Sequence, residues 1–500
     1  MGPWAREQTS TCGARIFTVI RGKALYHLNM TFCPKPHPAL RAALMVAMLG
    51  LPAGPALAHA SEQGFVLLLP TDAYILAGAA SVALTVLLLA VLPGRVLEPV
   101  FRPRAVWRRR ARAGARQVTS TLAFLLLVWL IWVGLNGDRD PLENPMSLFV
   151  WTIWWIGFVT LQGLLGDFWR WVNPWTGPVA LTRKALGIRP FLRLPARFGH
   201  WLALLTFLGF VAVLLADPAP ADPARLAGYV GGYWLFAYLG LLAFGPRWLL
   251  RAEGFSMLMR NYTRMALFGR LKAHIGLGVP GWQVLARRTP PIGVAVFMLV
   301  MLGSGSFDGL NETFWWFGLI GINPLEFPGR SAVITENLVG LVIANTALIA
   351  VFATAVWLGL KLVGSQTRLI RAFCLFAPTI LPIALGYHIA HYFTSFLVDG
   401  QYTLVALSDP LANGADYLRL GHHFVSTGFF NNQASVRAIW LTQAGAVVAG
   451  HILAVMLAHT IALHHFGSNK RAALSQAPLA LFMVFYTLFG LWLLASPRVA

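Results

Sequence analysis

The sequence is poor in cysteine, which excludes two kinds of site. Only three cysteines occur in 500 residues, and Cys12 and Cys33 precede the point where we expect the mature chain to begin. Cys374, inside an apolar run, is then the one cysteine of the mature protein. A disulfide framework needs pairs of cysteines and a Cys-based zinc site needs several, so neither is available.

Charged residues are also scarce, at 11% against 57% hydrophobic residues, and the mean hydropathy is +0.65. These values exclude a soluble globular protein and predict an all-α, polytopic membrane helix bundle whose main partner is the lipid bilayer. The net charge of +21 is not that of a nucleic-acid binder, because the Lys and Arg residues lie in short loops between apolar runs and form no single solvated surface. We therefore expect no nucleic-acid partner.

Ten apolar runs are long enough to be considered as membrane spans. A spanning helix needs about 20 apolar residues, because the hydrocarbon core is about 30 Å thick. The predicted spans are 74–94, 119–136, 146–166, 200–216, 226–245, 291–306, 337–360, 370–397, 438–463 and 477–496.

The N-terminal region divides into three predicted parts. Residues 1–29 have no sustained periodicity and form an upstream extension or reflect a mis-assigned start. Residues 30–58 combine a basic region, an apolar core and the small-residue ending PALA, as in a secretory signal peptide. The alternative is an uncleaved anchor, but the run 42–58 is short and contains two prolines. Residues 59–500 are the predicted multi-span domain, with His59 as its first residue.

The distribution of basic residues predicts the orientation of the chain. Of the 33 Lys and Arg residues after Ala58, 27 fall in alternate loops, around 95–116, 170–197, 247–288, 361–371 and 470–471. Such loops face the cytoplasm in membrane proteins. We expect both mature ends on the outer side of a bacterial inner (cytoplasmic) membrane.

Two longer polar stretches lie between predicted spans. Residues 246–290 mix Arg with Met, Leu and Phe at helical spacing, which predicts a cytoplasmic interfacial helix in contact with lipid. Residues 398–437 form the longest predicted outer loop, with His422, His423 and three aspartates. A loop of this length is more often functional than not.

Histidines within the spans are candidate metal ligands. His388 and His391 are three residues apart and share one helix face, and His451 belongs to the next span. Because consecutive spans run antiparallel, their depths predict that the three imidazoles meet in one outward-facing cavity. The alternative is that each imidazole only forms a hydrogen bond with a neighbouring helix.

Further candidates lie on the predicted outer side. They are His59, His422 and His423 as metal ligands, with Asp308 and Glu312 as catalytic carboxylates. Imidazole and carboxylate groups favour a divalent transition metal, zinc or copper. A recognised spacing such as HExxH is absent from the sequence. The loop histidines could instead be solvated, and the two acidic residues could cap a helix.

Five segments resemble a family of bacterial polytopic membrane proteins, some members of which are described as fenitrothion hydrolases. They are AHASEQGFVLLLP (58–70), WVNPW (171–175), SFDGLNETFWW (306–316), YHIAHY (387–392) and GHILAVMLAH (450–459). The resemblance implies a substrate class, small apolar organophosphate triesters. It carries no established set of catalytic residues.

These observations lead to a hypothesis of metal-dependent hydrolysis with two alternatives. A metal held by the outer histidines would activate a water molecule that Asp308 or Glu312 orients, and hydroxide would displace the leaving group of a phosphotriester. The first alternative is a metal-ion or proton-coupled transporter, since histidines within membranes are typical of such proteins. The second is a haem-binding redox subunit with His388 and His451 as axial ligands. The oligomeric state is left open.

Overall fold

The computed structural model describes residues 15–21, 24–30, 66, 68–92, 94–97, 99–108, 114–326, 329–421 and 424–498. The chain divides into two units, Met1–Gly54 and Pro55–Ala500. In the first unit, strands β1 (Arg15–Arg21) and β2 (Ala24–Met30) pair as an antiparallel hairpin. Most of the predicted signal peptide and its cleavage point lie outside the described residues, so cleavage stays a prediction.

The second unit is a bundle of helices, which confirms the predicted all-α fold. In the part of the chain that the structure describes, nine helices are long and apolar enough to cross a membrane, as in a multi-pass membrane protein. The helices of eight or more residues are α1 (Thr71–Val91), α2 (Ala115–Asn136), α3 (Pro145–Leu164), α4 (Thr176–Leu186), α5 (Trp201–Ala216), α6 (Pro223–Phe244), α7 (Gly254–Tyr262), α8 (Ile292–Leu310), α9 (Ile334–Leu362), α10 (Leu369–Ser408), α11 (Gln433–Phe466) and α12 (Asn469–Ala495). Shorter helices are Gly94–Leu97, Trp169–Val172, Arg247–Arg251, Trp282–Leu285 and Phe314–Leu319.

One of the ten predicted spans forms a helix at the predicted position, but this helix is shorter than a membrane span requires. Helix α5 has 16 residues, which is about 24 Å of helix and less than the hydrocarbon core requires. It ends at Asp217, whose backbone is extended. Arg330 donates to the carbonyl oxygens of Asp217 (3.0 Å) and Leu214 (2.7 Å), which ties this end to the segment before α9. The other nine predicted runs are confirmed as long helices.

The stretch 246–290 differs from the predicted interfacial helix. Its longest helix, α7, buries seven of nine residues and packs against α5 and the C-terminal part of α3, so its apolar residues contact protein and not lipid. The following residues form strands β4 (Phe268–Leu271) and β5 (His274–Leu277). With β3 (Arg104–Arg108), they make an antiparallel sheet in the order β3-β5-β4. The helical spacing of Met and Leu predicts a helix, but it does not predict that α5 and α3 cover the apolar residues of this helix.

The loop predicted at 398–437 is shorter in the structure. Helix α10 continues to Ser408 and α11 begins at Gln433, so the connection spans 409–432. Asp399 consequently lies within α10 and not in a loop. The residues VDGQYTLVALS retain apolar side chains at helical spacing, which allows the helix to continue past the predicted boundary.

Helices α10 and α11 approach closely where each has a glycine. A Cβ atom at Gly386 would lie 2.5 Å from the carbonyl oxygen of Ala446, and one at Gly450 would lie 2.6 Å from that of Pro382. Small residues permit such close packing of helices within membranes. This contact sets the height and rotation of the turn of α10 that carries the histidines.

Candidate functional site

His388 and His391 line a small cavity inside the bundle. Its walls come from α3, α5, α7, α8 and α10, and its volume is about 30 Å³. A space of this size accommodates one or two water molecules. Its polar lining residues are Tyr262, Ser304, Asp308, Tyr387, His388, His391 and Tyr392.

Asp308 on α8 and His391 on α10 form a buried pair at this cavity. His391 Nε2 lies 3.1 Å from Asp308 Oδ2, and the two side chains are 5% and 10% exposed. The Tyr392 hydroxyl donates a hydrogen bond to the same carboxylate oxygen. Burial of a carboxylate is costly unless it is paired, and here a ring nitrogen and a hydroxyl both compensate it. Asp308 and His391 are both groups that can carry a proton.

The opposite edge of the His391 ring is buried and unpaired. Within the described residues, neither His391 Nδ1 nor the Tyr387 hydroxyl has a hydrogen-bond partner. The two rings stack with their centroids 5.7 Å apart and their planes 10° apart. Orphaned buried polar atoms cost about 1–3 kcal/mol each, so they are rarely kept without a purpose. Both residues line the cavity, so these atoms are available to a further hydrogen-bond partner such as water.

A π-helical segment of α3 provides the partner of His388. Residues Phe149–Phe158 are wound as a π-helix, a rare conformation that often marks functional sites. His388 Nε2 donates to the carbonyl oxygen of Trp155 in this segment, at 3.1 Å. The Trp155 and His388 rings meet edge to face, with centroids 5.3 Å apart. Because Nε2 carries the donated hydrogen, it is not free to bind a metal.

His451 does not join the other two histidines. Its Nδ1 donates to the carbonyl oxygen of Val447 one turn earlier, at 2.9 Å. Its ring faces Tyr486 on α12, with centroids 6.3 Å apart, and it is not a lining residue of the cavity described above. Residue spacing gives the height of His451 along α11, but the rotation of α11 about its own axis turns the ring towards α12. The predicted meeting of all three imidazoles is therefore wrong.

The other predicted residues lie at the surface or outside the described part. Glu312 follows the end of α8, is 42% exposed at its side chain and lies 3.7 Å from Arg498 Nη1. It therefore does not line the cavity with Asp308. His59, His422 and His423 lie outside the described residues.

The donors at the cavity do not form a metal or haem site by themselves. Among the described residues, no group of three or more His, Cys, Asp or Glu side chains is arranged to hold a metal ion. Zinc or copper binding through His59, His422 and His423 stays a prediction. A haem group does not fit between His388 and His451, because the cavity beside His388 is about 30 Å³ and the His388 Nε2 atom is already bonded.

The sequence analysis did not identify the aromatic residues of this site. Tyr387 and Tyr392 flank the histidines in YHIAHY, and a hydroxyl next to each imidazole was a visible signal. Trp155 takes part through a backbone carbonyl, for which the sequence carries no signal. Tyr486 and Ser306, whose hydroxyls are 2.7 Å apart, are 180 residues apart in the chain.

Gly309 is required for the position of Tyr387. A Cβ atom at this position would collide with the Tyr387 hydroxyl and lie 3.5 Å from His391 Nδ1. We expect Gly309→Ala to displace Tyr387 and to lower stability by about 1–3 kcal/mol, the usual cost of overpacking. Thermal unfolding in detergent measures this loss.

Gly305, one turn earlier on α8, provides the matched control for that substitution. A Cβ atom there would lie 3.7 Å from Tyr387 Cδ1, an ordinary contact, so Gly305→Ala should leave the unfolding temperature almost unchanged. Equal shifts for both variants would contradict the role assigned to Gly309.

Comparisons with known proteins identified no relative of this chain. The chain matches no protein-family model, and neither the search of characterised proteins nor the search of solved structures found a similar chain.

Proposed function

We propose that the protein is a proton-coupled membrane transporter in which the Asp308–His391 pair takes up and releases the proton. The observation that carries the proposal is a carboxylate and an imidazole 3.1 Å apart, buried among membrane-spanning helices. Ionisable groups in such places are costly to keep and typically serve proton or ion movement. Tyr392 and the cavity of about 30 Å³ add a hydroxyl and room for water.

The position of Glu312 supports access to the pair from one side of the bundle. Glu312 follows Asp308 by four residues, is partly exposed and faces Arg498 at 3.7 Å. Arg498 also acts electrostatically on Asp308. This arrangement supports a route by which a proton reaches Asp308 from the surface at Glu312, the predicted outer side.

Polar groups continue from the pair in the other direction. Tyr387 beside His391 lies within electrostatic range of Tyr486, whose hydroxyl pairs with Ser306 at 2.7 Å. His451 faces Tyr486, and its Nε2 has no hydrogen-bond partner among the described residues. Eight residues further along α11, about 12 Å, buried His459 lies 3.4 Å from Asn469 at the start of α12. This succession supports proton movement towards the opposite side.

Hydrolysis of organophosphate triesters, which the resemblance implies, receives less support from the geometry. The cavity at the Asp308–His391 pair is about 30 Å³, too small to admit a triester. A periplasm-facing metal site would depend on His59, His422 and His423, outside the described residues. Hydrolase activity stays a prediction, tested by metal content and phosphotriesterase assays of the purified protein.

Proton uptake by a buried pair predicts a transient electrical signal. We expect proteoliposomes on a solid-supported membrane to give a transient current after a pH jump, because a proton that reaches Asp308 crosses part of the membrane. No substrate needs to be known for this measurement.

Protein-free liposomes and an unrelated membrane protein at the same density are the controls. A current no larger than in these controls would refute the proposed proton site. A current that depends on added zinc or copper and vanishes after chelation would favour the metal-ion alternative.

A further inference from the structure

A large apolar cavity lies beside α3, on the other side of Trp154 and Phe210 from the histidine site. It has a volume of about 960 Å³ and is formed by α2, α3, α5 and α6 with parts of neighbouring segments. Its lining is almost wholly apolar and rich in aromatic rings, such as Phe149, Trp154 and Phe210. This volume is at the upper end of the range of ligand pockets, about 300–1,000 Å³. A cavity of this volume and lining fits a large hydrophobic molecule.

The rim of the cavity faces the lipid. Leu122, Leu126 and Phe236 line the cavity and are 60%, 42% and 43% exposed on the outside of membrane-spanning helices. Apolar side chains exposed in this way on spanning helices contact hydrocarbon chains. A hydrophobic molecule therefore reaches the cavity laterally, from the hydrocarbon region of the bilayer.

One end of the cavity is adjacent to a pair of arginines. The Thr119 side chain lines the cavity and donates to the carbonyl oxygen of Trp171 at 2.6 Å. The guanidinium groups of Arg116 and Arg170 lie 5.4 and 5.5 Å from the centroid of the Trp171 ring. In the described part of the chain, Arg170 Nε is buried and has no hydrogen-bond partner. Two cations thus lie around Trp171, beside the part of the cavity that Thr119 lines.

Arg260 adds positive charge near the same end. Trp169, which lines the cavity, donates from Nε1 to Ser256 Oγ at 3.1 Å, and Arg260 donates from Nε to the Ser256 carbonyl oxygen at 3.3 Å. Burial lowers the pKa of Arg260 to about 10 and that of Arg264 to about 9. Both remain protonated at neutral pH. The carboxyl groups of Asp167 and Glu253 act electrostatically on Arg260, and burial raises the pKa of each. Arginines therefore outnumber carboxyl groups near this end of the cavity.

We propose that the cavity and its basic end bind a phospholipid with an anionic headgroup. The acyl chains occupy the space lined by Phe149, Trp154 and Phe210, and the phosphate lies between Arg116 and Arg170. The charge asymmetry of the loops predicts that this end faces the cytoplasm, where basic pockets between helices bind anionic headgroups. The lipid site is separate from the Asp308–His391 pair and does not depend on the proposed proton transport.

Lipid binding to the delipidated full-length protein tests the proposal by native mass spectrometry. The probes are phosphatidylglycerol, phosphatidylcholine with the same chains, and inorganic phosphate. We expect phosphatidylglycerol to bind at least about tenfold more tightly than phosphatidylcholine, since each arginine near a headgroup favours an anion. Arg116→Gln combined with Arg170→Gln should abolish this preference, whereas Arg193→Gln, an exposed arginine on the same predicted side, should retain it.

A second variant tests the cavity independently of charge. Gly209 lines the cavity, and a Cβ atom there would meet nothing within 4 Å, so Gly209→Leu fills the space without forcing the helix to move. It should weaken the binding of both lipids. Gly445→Leu, at an equally open position on α11, is the matched control and should weaken neither.

Three outcomes would overturn the proposal. Equal binding of both lipids to the unchanged protein would show that the site does not select an anionic headgroup. Binding that is insensitive to Gly209→Leu would place the lipid elsewhere. Inorganic phosphate that binds as tightly as phosphatidylglycerol, and competes with it, would indicate a site for a free anion and not for a lipid.

Discussion

Asparagine in place of Asp308 is expected to reduce the pH-jump current to the level of protein-free liposomes. The amide keeps the shape of the side chain and an acceptor for the Tyr392 hydroxyl, but it cannot take up a proton at any pH near neutrality. It also removes the negative charge that His391 Nε2 faces at 3.1 Å. Asp308→Asn should lower stability by about 1–3 kcal/mol, the range for one weakened buried hydrogen bond, so folded protein remains for the measurement.

Asp72→Asn is the matched control for this variant. Asp72 is an exposed carboxylate in the first turn of α1, where its loss removes no buried partner. The Asp72→Asn protein should give the same pH-jump current as the unchanged protein. His391→Gln should abolish the current as Asp308→Asn does, because the proposed proton site requires both groups. A normal current in Asp308→Asn protein that unfolds cooperatively would exclude the pair as the proton site.

Alanine in place of Glu253 is expected to cause the largest loss of stability, about 3–5 kcal/mol. Glu253 is fully buried and caps α7, accepting from the backbone N–H groups of Phe255 (2.8 Å) and Ser256 (2.7 Å). Tyr233 on α6 donates its hydroxyl to the same carboxylate at 2.5 Å. Alanine would leave three buried donors without an acceptor. Thermal unfolding followed by the many tryptophans measures the effect.

The pH dependence of this loss identifies the carboxyl group as its cause. Burial raises the pKa of Glu253 above its ordinary value of 4.5, against the opposing hydrogen bonds from Ser256 and Tyr233. A raised pKa in the folded state means that the stability from this group is fully present below pH 4.5 and declines as pH rises through the raised value. The difference in the free energy of unfolding between the unchanged protein and Glu253→Ala should therefore decrease as pH rises from 4.5 to the raised pKa. Glu326 is exposed, so Glu326→Ala should not change the stability at any pH.

The helices were predictable because their signals are local. Nine of the ten apolar runs are long helices, since length and hydrophobicity decide whether a segment can cross a membrane. The run 200–216 satisfied the composition but not the length, and its C-terminal end is held by contacts with Arg330. Residues 246–290 had the right periodicity, but the elements that cover α7 come from elsewhere in the chain.

The candidate site was predictable only in part. His388 and His391 lie on one face of α10 as their spacing requires, and both line one cavity with Asp308. The ring of His451, in contrast, faces Tyr486 on α12. Residue spacing gives the height along a helix axis, and it does not give the direction in which that helix turns a side chain relative to its neighbours.

The sequence by itself determined that this is a multi-pass helical membrane protein with few charged residues, because these properties depend on the composition of each segment. Only the tertiary structure decided that Asp308 pairs with His391, 83 residues away, and that His388 binds a backbone carbonyl of α3. The physical reason is that the rotation of each helix is set by packing between distant segments, such as the contact of Gly386 with Ala446. That packing determines which polar groups share a cavity.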